Sequence, residues 1–231
     1  MISRRQLLYF STLFFFCSPL ATLKSLAVVD GEKVDKRYPL TIDLLNKAYS
    51  SEIIASKHYN GYCQKALSED YQNIAYLFST FSVSEKIHAD NYQKLIVSLG
   101  ATLQKINLSV SISNTKANLN IASIKELKKI NKFYPEILKG LSSESHEQAV
   151  ISCMYSWKSH EQHEKMINEI KKYSGIFYKM LAKKIENMRL NYYVCDICGS
   201  TINGKPEKPC VICNHPISHY IEIKRPTLLT N

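Results

Sequence analysis

Four long stretches of the chain carry apolar residues at spacings of three and four, which is the pattern of one buried face of an α-helix. They predict helices over about 41–67, 71–99, 119–138 and 145–173. In the third stretch Ile130 and Phe133 continue the apolar face, and Pro135 predicts a kink because it lacks an amide hydrogen. Residues 104–115 are rich in Ser and Asn and lack this pattern, so we expect a long crossover connection between two helical hairpins.

The apolar faces are interrupted by polar residues of the types that bind metal ions. They are Glu52, Glu85, His88, Glu126, His160 and His163. The interruptions repeat, because Glu52 and Glu85 are 33 residues apart and Glu126 and His160 are 34 residues apart. A buried carboxylate without a partner is costly, so these groups require a counter-charge, a proton or a metal ion. Di-metal four-helix bundles use a Glu from each of two helices and a Glu-x-x-His from each of the others; here His160 stands where the last Glu is expected.

Two Cys-x-x-Cys pairs lie near the C-terminus, Cys195/Cys198 and Cys210/Cys213, with eleven residues between them. Each pair places two thiolates on one tight turn, and two facing turns form a tetrahedral four-sulfur site for zinc or a single iron ion. Two disulfides or four unrelated cysteines are the alternatives, and the paired spacing favours the metal. Zinc would be structural there, whereas iron would carry one electron.

Composition narrows the class of protein. The chain has 231 residues, is 45% hydrophobic and carries a net charge of +10, which suits a helical core with a small additional domain. Its basic residues are scattered and no nucleic-acid-binding motif accompanies them, so we expect no nucleic-acid partner. The sequence also contains no glycine-rich phosphate loop and no nucleophile elbow.

The first 27 residues are expected to be an export signal. Arg4 and Arg5 give a basic start, a short apolar run covers residues 7–20, and small residues at 25 and 27 offer a cleavage site. The paired arginines indicate the twin-arginine pathway, which exports folded proteins. We therefore expect a soluble protein of a bacterial periplasm after cleavage, with an ordinary secretory signal or an uncleaved membrane anchor as the alternatives.

These motifs together resemble the rubrerythrin family over residues 40–223. The matching motifs are Glu52-Ile53-Ile54-Ala55 with Tyr59, Ser84-Glu85-Lys86-Ile87-His88-Ala89, Glu126 with Tyr134-Pro135, His163-Glu164, and Tyr193, Cys198-Gly199, Pro206, Pro209 and Pro216 around the cysteines. The resemblance implies a mainly α-helical protein. It would have a ferritin-like four-helix bundle over 40–173, a helical linker over 174–192 and a rubredoxin-like domain over 193–223.

The resemblance also implies an activity and a site. Electrons from a separate redox protein would enter at a four-thiolate iron centre, pass to a di-iron site in the bundle and reduce hydrogen peroxide to water. Tyr59 and Tyr134 would donate hydrogen bonds to ligand carboxylates. In the family the cysteine domain of one subunit lies near the di-iron site of another, so a homodimer is implied. The metal ligands that carry over are Glu52, Glu85, His88, Glu126 and His163.

Three positions depart from the family pattern. Lys129 stands where the third helix of the family carries its second Glu, and His160 stands where the fourth helix carries a bridging Glu. Val211 stands where rubredoxin-type domains usually have Pro. Three bundle sites follow: two metal ions in a mixed ligand set, one metal ion with the Lys129 ammonium replacing part of the missing charge, or a metal-free network of ion pairs. Glu161 and Glu164 are also three residues apart, and a slight rotation of the fourth helix would offer Glu164 as a ligand.

Two other functions follow from these departures. Lys129 and His160 favour an exported metal-binding or electron-transfer protein without peroxidase activity. A helical bundle with a structural zinc site and a lapsed bundle site is the third hypothesis. Four thiolates accept zinc as readily as iron, so the sequence leaves both metals open.

The remaining cysteines and histidines have weaker patterns. Cys63 and Cys153 lie on buried helix faces and are expected to be packing residues, with a disulfide between them as the alternative. Surface positions are expected for His58, His146, His215 and His219.

Overall fold

The computed structural model describes residues 35, 37–171, 186 and 188–229. The predicted export signal at 1–27 and most of the predicted helical linker at 174–192 lie outside these residues. Within the described ranges, no helix is both long and apolar enough to cross a membrane.

Five α-helices account for most of the described chain, which confirms the mainly helical class. The segment 99–114 has neither helix nor strand and connects the second and third helices, as the crossover prediction required. The helices are α1 Pro39–Ser68, α2 Gln72–Ser98, α3 Thr115–Lys128, α4 Tyr134–Leu141 and α5 Glu147–Lys171.

The helix ends have local causes. Pro39 occupies the first turn of α1, where its missing amide hydrogen costs nothing, and the Glu144 carboxylate accepts hydrogen bonds from Leu40 N at 3.0 Å and Thr41 N at 2.7 Å. At the start of α3 the Asn114 side chain accepts from Ala117 N at 2.9 Å. Such caps set where the helices begin and therefore which residues face the bundle interior.

A π-helical turn, Lys129–Phe133, joins α3 to α4. Tyr134 N donates to Lys129 O, five residues earlier, immediately before Pro135. The predicted irregularity at the proline thus takes the form of a wider turn. Its effect is to bury Lys129 and Tyr134, whereas Ile130 and Phe133, placed on this face by the sequence pattern, are only half-buried.

Two hydrophobic clusters fill the bundle on either side of the polar positions. One contains aromatic residues such as Tyr59, Phe78 and Phe81, and the other contains Leu45 and Tyr92 with residues from α4 and α5. Each fully buried large side chain stabilises the fold by about 1.5–3 kcal/mol. Because both clusters exclude water, charges between them lie in a low-dielectric environment.

The C-terminal part contains a three-stranded antiparallel sheet. The strands are β1 Tyr192–Cys195, β2 Thr201–Asn203 and β3 Tyr220–Glu222, in the order β2-β1-β3. Tyr193 pairs with Ile202 on one side and with Glu222 on the other. The sheet positions the cysteines, because β1 ends at Cys195.

This sheet is tied to α2 through Tyr76. The Tyr76 hydroxyl donates to Ile223 O at 2.5 Å and accepts from Tyr192 N at 3.1 Å. Arg225 lies 4.8 Å from the centre of the Tyr76 ring and donates to Asn73 Oδ1 at 2.8 Å. The four-cysteine domain is therefore held against the bundle of its own chain by polar contacts that are distinct from those near the metal-binding residues.

Candidate metal centres

The four C-terminal cysteines converge into one group. The Sγ atoms of Cys195 and Cys213 are 3.7 Å apart and those of Cys198 and Cys210 are 3.5 Å apart, with all four within 4.8 Å of one another. Four thiolates around one ion at about 2.3 Å form a tetrahedron with edges of about 3.8 Å. The four sulfurs thus fit a tetrahedral metal ion, and they are free thiols, which removes the disulfide alternative.

The structure brings all six polar residues of the helix faces together inside the bundle. Each is at most 1% exposed. Their donor atoms form two overlapping groups that share Glu85 and His160, and within each group the atoms lie within 4.8 Å of one another. The first group is Glu52, Glu85, His88 and His160, and the second is Glu85, Glu126, His160 and His163.

Two tyrosines hold the carboxylates of this centre. The Tyr59 hydroxyl donates to Glu126 Oε1 and the Tyr134 hydroxyl donates to Glu52 Oε1. Burial raises the pKa of both phenols well above its usual value, so they remain protonated donors. The geometry is that which the family resemblance implied for these residues.

Lys129 occupies the interior of the same centre. Its Nζ donates to Glu52 Oε2 and lies 3.7 Å from Glu85 Oε2 and 3.4 Å from His160 Nε2. Burial lowers the pKa of Lys129, but the carboxylates of Glu52, Glu85 and Glu126 outweigh it and raise that pKa. Burial likewise opposes ionisation of Glu52, but Lys129 and His160 keep its pKa well below the usual value. Lys129 and Glu52 therefore form a buried ion pair.

His160 is the most strongly paired histidine. Its Nδ1 is 2.6 Å from Glu126 Oε2. Burial lowers the pKa of His160, but the carboxylates of Glu85 and Glu126 outweigh burial and raise that pKa to about 10. Burial raises the pKa of Glu126, but His160 outweighs burial and lowers that pKa to about 2. Histidine binds a metal ion only when neutral, so metal binding at His160 would displace this proton.

Two atoms in the second group have no hydrogen-bond partner among the residues that the structure describes. They are Glu85 Oε1 and His163 Nδ1, which are buried and 3.5 Å apart. Burial lowers the pKa of His163 to about 3, so its ring is neutral, and raises the pKa of Glu85 to about 7. Buried polar atoms are nearly always paired, so this pair of atoms fits a site that binds an ion.

Several residues lie elsewhere than the sequence patterns indicated. Glu161 is exposed and Glu164 accepts a hydrogen bond from Asn168, so the alternative in which a rotated fourth helix offers Glu164 as a ligand is wrong. His58 is buried rather than at the surface, and its Nδ1 bonds Ile54 O at 2.8 Å.

Cys63 and Cys153 are free thiols in separate hydrophobic clusters. The structure therefore places them as packing residues and contains no disulfide between them.

The two centres meet through a backbone contact. Gly199 O accepts hydrogen bonds from Ser84 Oγ at 2.6 Å and Ser159 Oγ at 2.9 Å, and His88 Nε2 lies 3.2 Å from Cys198 O. His88 is thus shared between the bundle group and the backbone of a cysteine in the same chain.

The sequence patterns did not identify the two serines of this contact. Each serine directly precedes a residue of the bundle centre, Ser84 before Glu85 and Ser159 before His160. This repeated serine was the available signal. The sequence patterns also did not identify Thr201, whose Oγ1 lies 3.3 Å from His163 Nε2.

A cavity of about 270 Å³ reaches the bundle centre from the side of α1 and α3. Tyr59, Glu126 and Lys129 are among its lining residues, and so is the buried His58. The cavity wall therefore includes residues of the bundle centre.

The fold and the two centres together define a helical bundle of the ferritin-like class with an added four-cysteine metal domain. The family model for rubrerythrin matches residues 43–171, more than half of the chain, so this chain belongs to the rubrerythrin family. Rubrerythrin-2 of Clostridium acetobutylicum is 26% identical over 183 residues, which cover 75% of this chain and 91% of that protein. A putative rubrerythrin of Methanocaldococcus jannaschii is 27% identical, with 80% and 92% covered.

Solved structures agree with this fold. A mixed-valence state of nigerythrin superposes with a TM-score of 0.67 at 20% identity, covering 79% of this chain and 86% of that one. Desulfovibrio desulfuricans bacterioferritin superposes with a TM-score of 0.59 at 18% identity, covering 67% and 91%. The prediction of a ferritin-like bundle with a rubredoxin-like domain is confirmed.

Removal of the metal should expose the four site cysteines to alkylation and leave Cys63 and Cys153 unreactive. Burial raises the pKa of Cys63 to about 11 and that of Cys153 to about 12. At pH 8 at most about 0.1% of either would be thiolate, the nucleophilic form. Iodoacetamide labelling before and after chelation, read by peptide mass spectrometry, measures this. If the four site cysteines were labelled to the same extent before and after chelation, the result would contradict a metal ion at these cysteines.

Proposed function

We propose that this protein is a non-haem iron oxidoreductase that reduces hydrogen peroxide, with electrons passed from the four-cysteine centre to the bundle centre. The observation that carries the proposal is the contact of His88 with Cys198 O at 3.2 Å. One side chain thereby connects a metal-ligand group to the backbone of a cysteine in the other centre. Nigerythrin, whose solved states include one described as all ferrous, has the same fold.

The four-cysteine centre is suited to receive electrons from a redox protein. Cys213 is only half-buried, and Val211 beside it is 77% exposed. Cys198, in the other Cys-x-x-Cys pair, is fully buried, and its carbonyl oxygen contacts His88 of the bundle. Electrons would therefore enter at the Cys213 side and leave at the Cys198 side.

The cavity between α1 and α3 would admit the oxidant. Iron bound at both centres would supply the redox chemistry, since reduction of one hydrogen peroxide to two waters consumes two electrons and two protons. The protein holds the ligand carboxylates in place: Tyr59 donates to Glu126 and Tyr134 to Glu52. Such hydrogen bonds fix the orientation and basicity of metal ligands.

A second function is favoured by one observation. Lys129 donates to Glu52, a residue that the family pattern assigns to metal binding. A bundle altered in this way would suit an electron-transfer or metal-binding protein without peroxide turnover. The experiment below distinguishes the two.

We also propose that the protein is exported to the periplasm. The support is the sequence of residues 1–27 alone, with its paired arginines, short apolar run and small residues at the cleavage position.

Hydrogen peroxide should reoxidise the reduced, iron-loaded protein through the bundle. Glu126→Gln removes a bundle carboxylate and leaves the cysteines unchanged. It should slow the peroxide-dependent return of the thiolate-to-iron absorption at least about tenfold, since even changes beyond the ligands cost about 10–100-fold. Stopped-flow absorbance under anaerobic conditions measures this. Equal rates for the variant and the natural protein would support electron transfer without peroxide turnover.

Adding a methyl group at Gly199 should separate the two centres. A Cβ there would lie 2.3 Å from His88 Nε2 and 3.0 Å from Ser84 Oγ. Gly199→Ala should therefore slow electron transfer to the bundle on the order of 10–100-fold through misplacement, with metal content unchanged. Gly204→Ala is the matched control, because Gly204 also has a positive φ, of 97°, but has nothing within 4 Å of its Cβ position. Similar slowing in both variants would point to backbone strain rather than the contact.

The transfer path should run within one chain. Cys210→Ser disables the four-cysteine centre and Glu126→Gln disables the bundle centre. When the two variants are co-expressed and purified together through different tags, peroxide reduction should not rise above that of either variant alone. Recovery of activity would instead mean that electrons cross between subunits of the homodimer that the family resemblance implies.

A further inference from the structure

The bundle interior offers two positions for a cation, and they differ in whether the surrounding polar atoms already have hydrogen-bond partners. The first position is bounded by Glu52, Glu85 Oε2, His88 and His160 Nε2, and the second by Glu85 Oε1, Glu126, His160 Nδ1 and His163 Nδ1.

At the first position the potential ligand atoms already have partners. Both oxygens of Glu52 are engaged, Oε1 by Tyr134 and Oε2 by the Lys129 ammonium. His88 Nδ1 lies 3.1 Å from Glu85 Oε2 and His88 Nε2 bonds Cys198 O. The ammonium also lies 3.7 Å from Glu85 Oε2 and is thus surrounded by the atoms that would bind a metal ion.

At the second position two atoms lack partners. Glu85 Oε1 and His163 Nδ1 are buried, without a hydrogen bond in the described part of the chain, and 3.5 Å apart. His160 Nδ1 is also 3.5 Å from Glu85 Oε1. Ligands at about 2.1 Å from one tetrahedral ion are separated by about 3.4 Å, which matches these two spacings. His160 Nδ1 lies 2.6 Å from Glu126 Oε2, so these two atoms would move apart when both bind the ion.

Charge balance separates the two positions further. The centre buries three carboxylates, those of Glu52, Glu85 and Glu126. One ammonium and one divalent ion neutralise them, whereas a second divalent ion beside the ammonium would leave an excess of positive charge in a water-excluding site. Buried charge without compensation is strongly unfavourable.

We propose that the Lys129 ammonium takes the place of one of two metal ions, so that the bundle holds a single ion bound by Glu85, Glu126, His160 and His163. The proposal rests on the bundle being a metal centre, which is part of the proposed function, and is independent of the oxidant. Thr201 Oγ1, 3.3 Å from His163 Nε2, would orient that ligand from the four-cysteine domain.

Metal counting tests the proposal. The full-length protein is incubated anaerobically with excess Fe(II), freed of unbound iron and analysed for total iron and zinc per chain. The natural protein should hold about two ions per chain, one at the cysteines and one in the bundle, since Lys129 excludes a third. Lys129→Glu should raise the count to about three because it removes the ammonium and adds a carboxylate ligand at the same point.

Two further variants complete the experiment. Lys132→Glu makes the same charge change at an exposed lysine of the same π-helical turn and should leave the count at two. Lys129→Gln removes the ammonium without adding a carboxylate and should also admit a third ion. If Lys129→Glu does not fold, the metal count of Lys129→Gln tests whether the ammonium excludes that ion.

Three ions in the natural protein would overturn the proposal, as would two ions in both Lys129 variants. One ion per chain, confined to the cysteines, would overturn it together with the bundle part of the proposed function. Counts of two and three without peroxide reduction would uphold the single-ion centre and overturn only the peroxidase.

Discussion

The burial of three carboxylates between two hydrophobic clusters is the constraint on which the rest of the bundle depends. Glu52, Glu85 and Glu126 are each at most 1% exposed. Their charges cannot be screened by water, so neighbouring polar groups must compensate them. Tyr59 and Tyr134 donate hydrogen bonds, Lys129 supplies a permanent positive charge, and the histidines supply either protons or positions for a metal ion.

The same centre is supported from outside the bundle. Ser84 and Ser159 both donate to Gly199 O, while Thr201 lies against His163. The four-cysteine domain therefore helps to position residues of the bundle centre, in addition to carrying its own group of four cysteines that could hold a metal ion. Because Gly199 has a φ of 75° and no space for a Cβ, this approach depends on the smallest side chain.

The sequence predicted those features that leave a periodic or spaced signature. The helix faces and their polar interruptions follow a repeat of three and four, and the Cys-x-x-Cys pairs identify themselves by spacing. The π-helical turn was missed because its five-residue step breaks that repeat, so Ile130 was expected where Lys129 is buried. The serine contact with Gly199 joins residues 115 and 40 positions apart. The repeated serine before Glu85 and before His160 marked the two donors, but no local pattern marked Gly199 as their partner.

The cavity lies between α1 and α3, whereas the four-cysteine domain contacts α2 and α5. Thiolates exposed to an oxidant proceed to sulfenic and higher acids, the latter irreversibly. A protein that consumed peroxide beside its own iron-holding thiolates would destroy them within a limited number of turnovers. In the proposed function, peroxide would reach the bundle between α1 and α3 and electrons would reach it from the side of α2 and α5, so the thiolates would lie away from the oxidant.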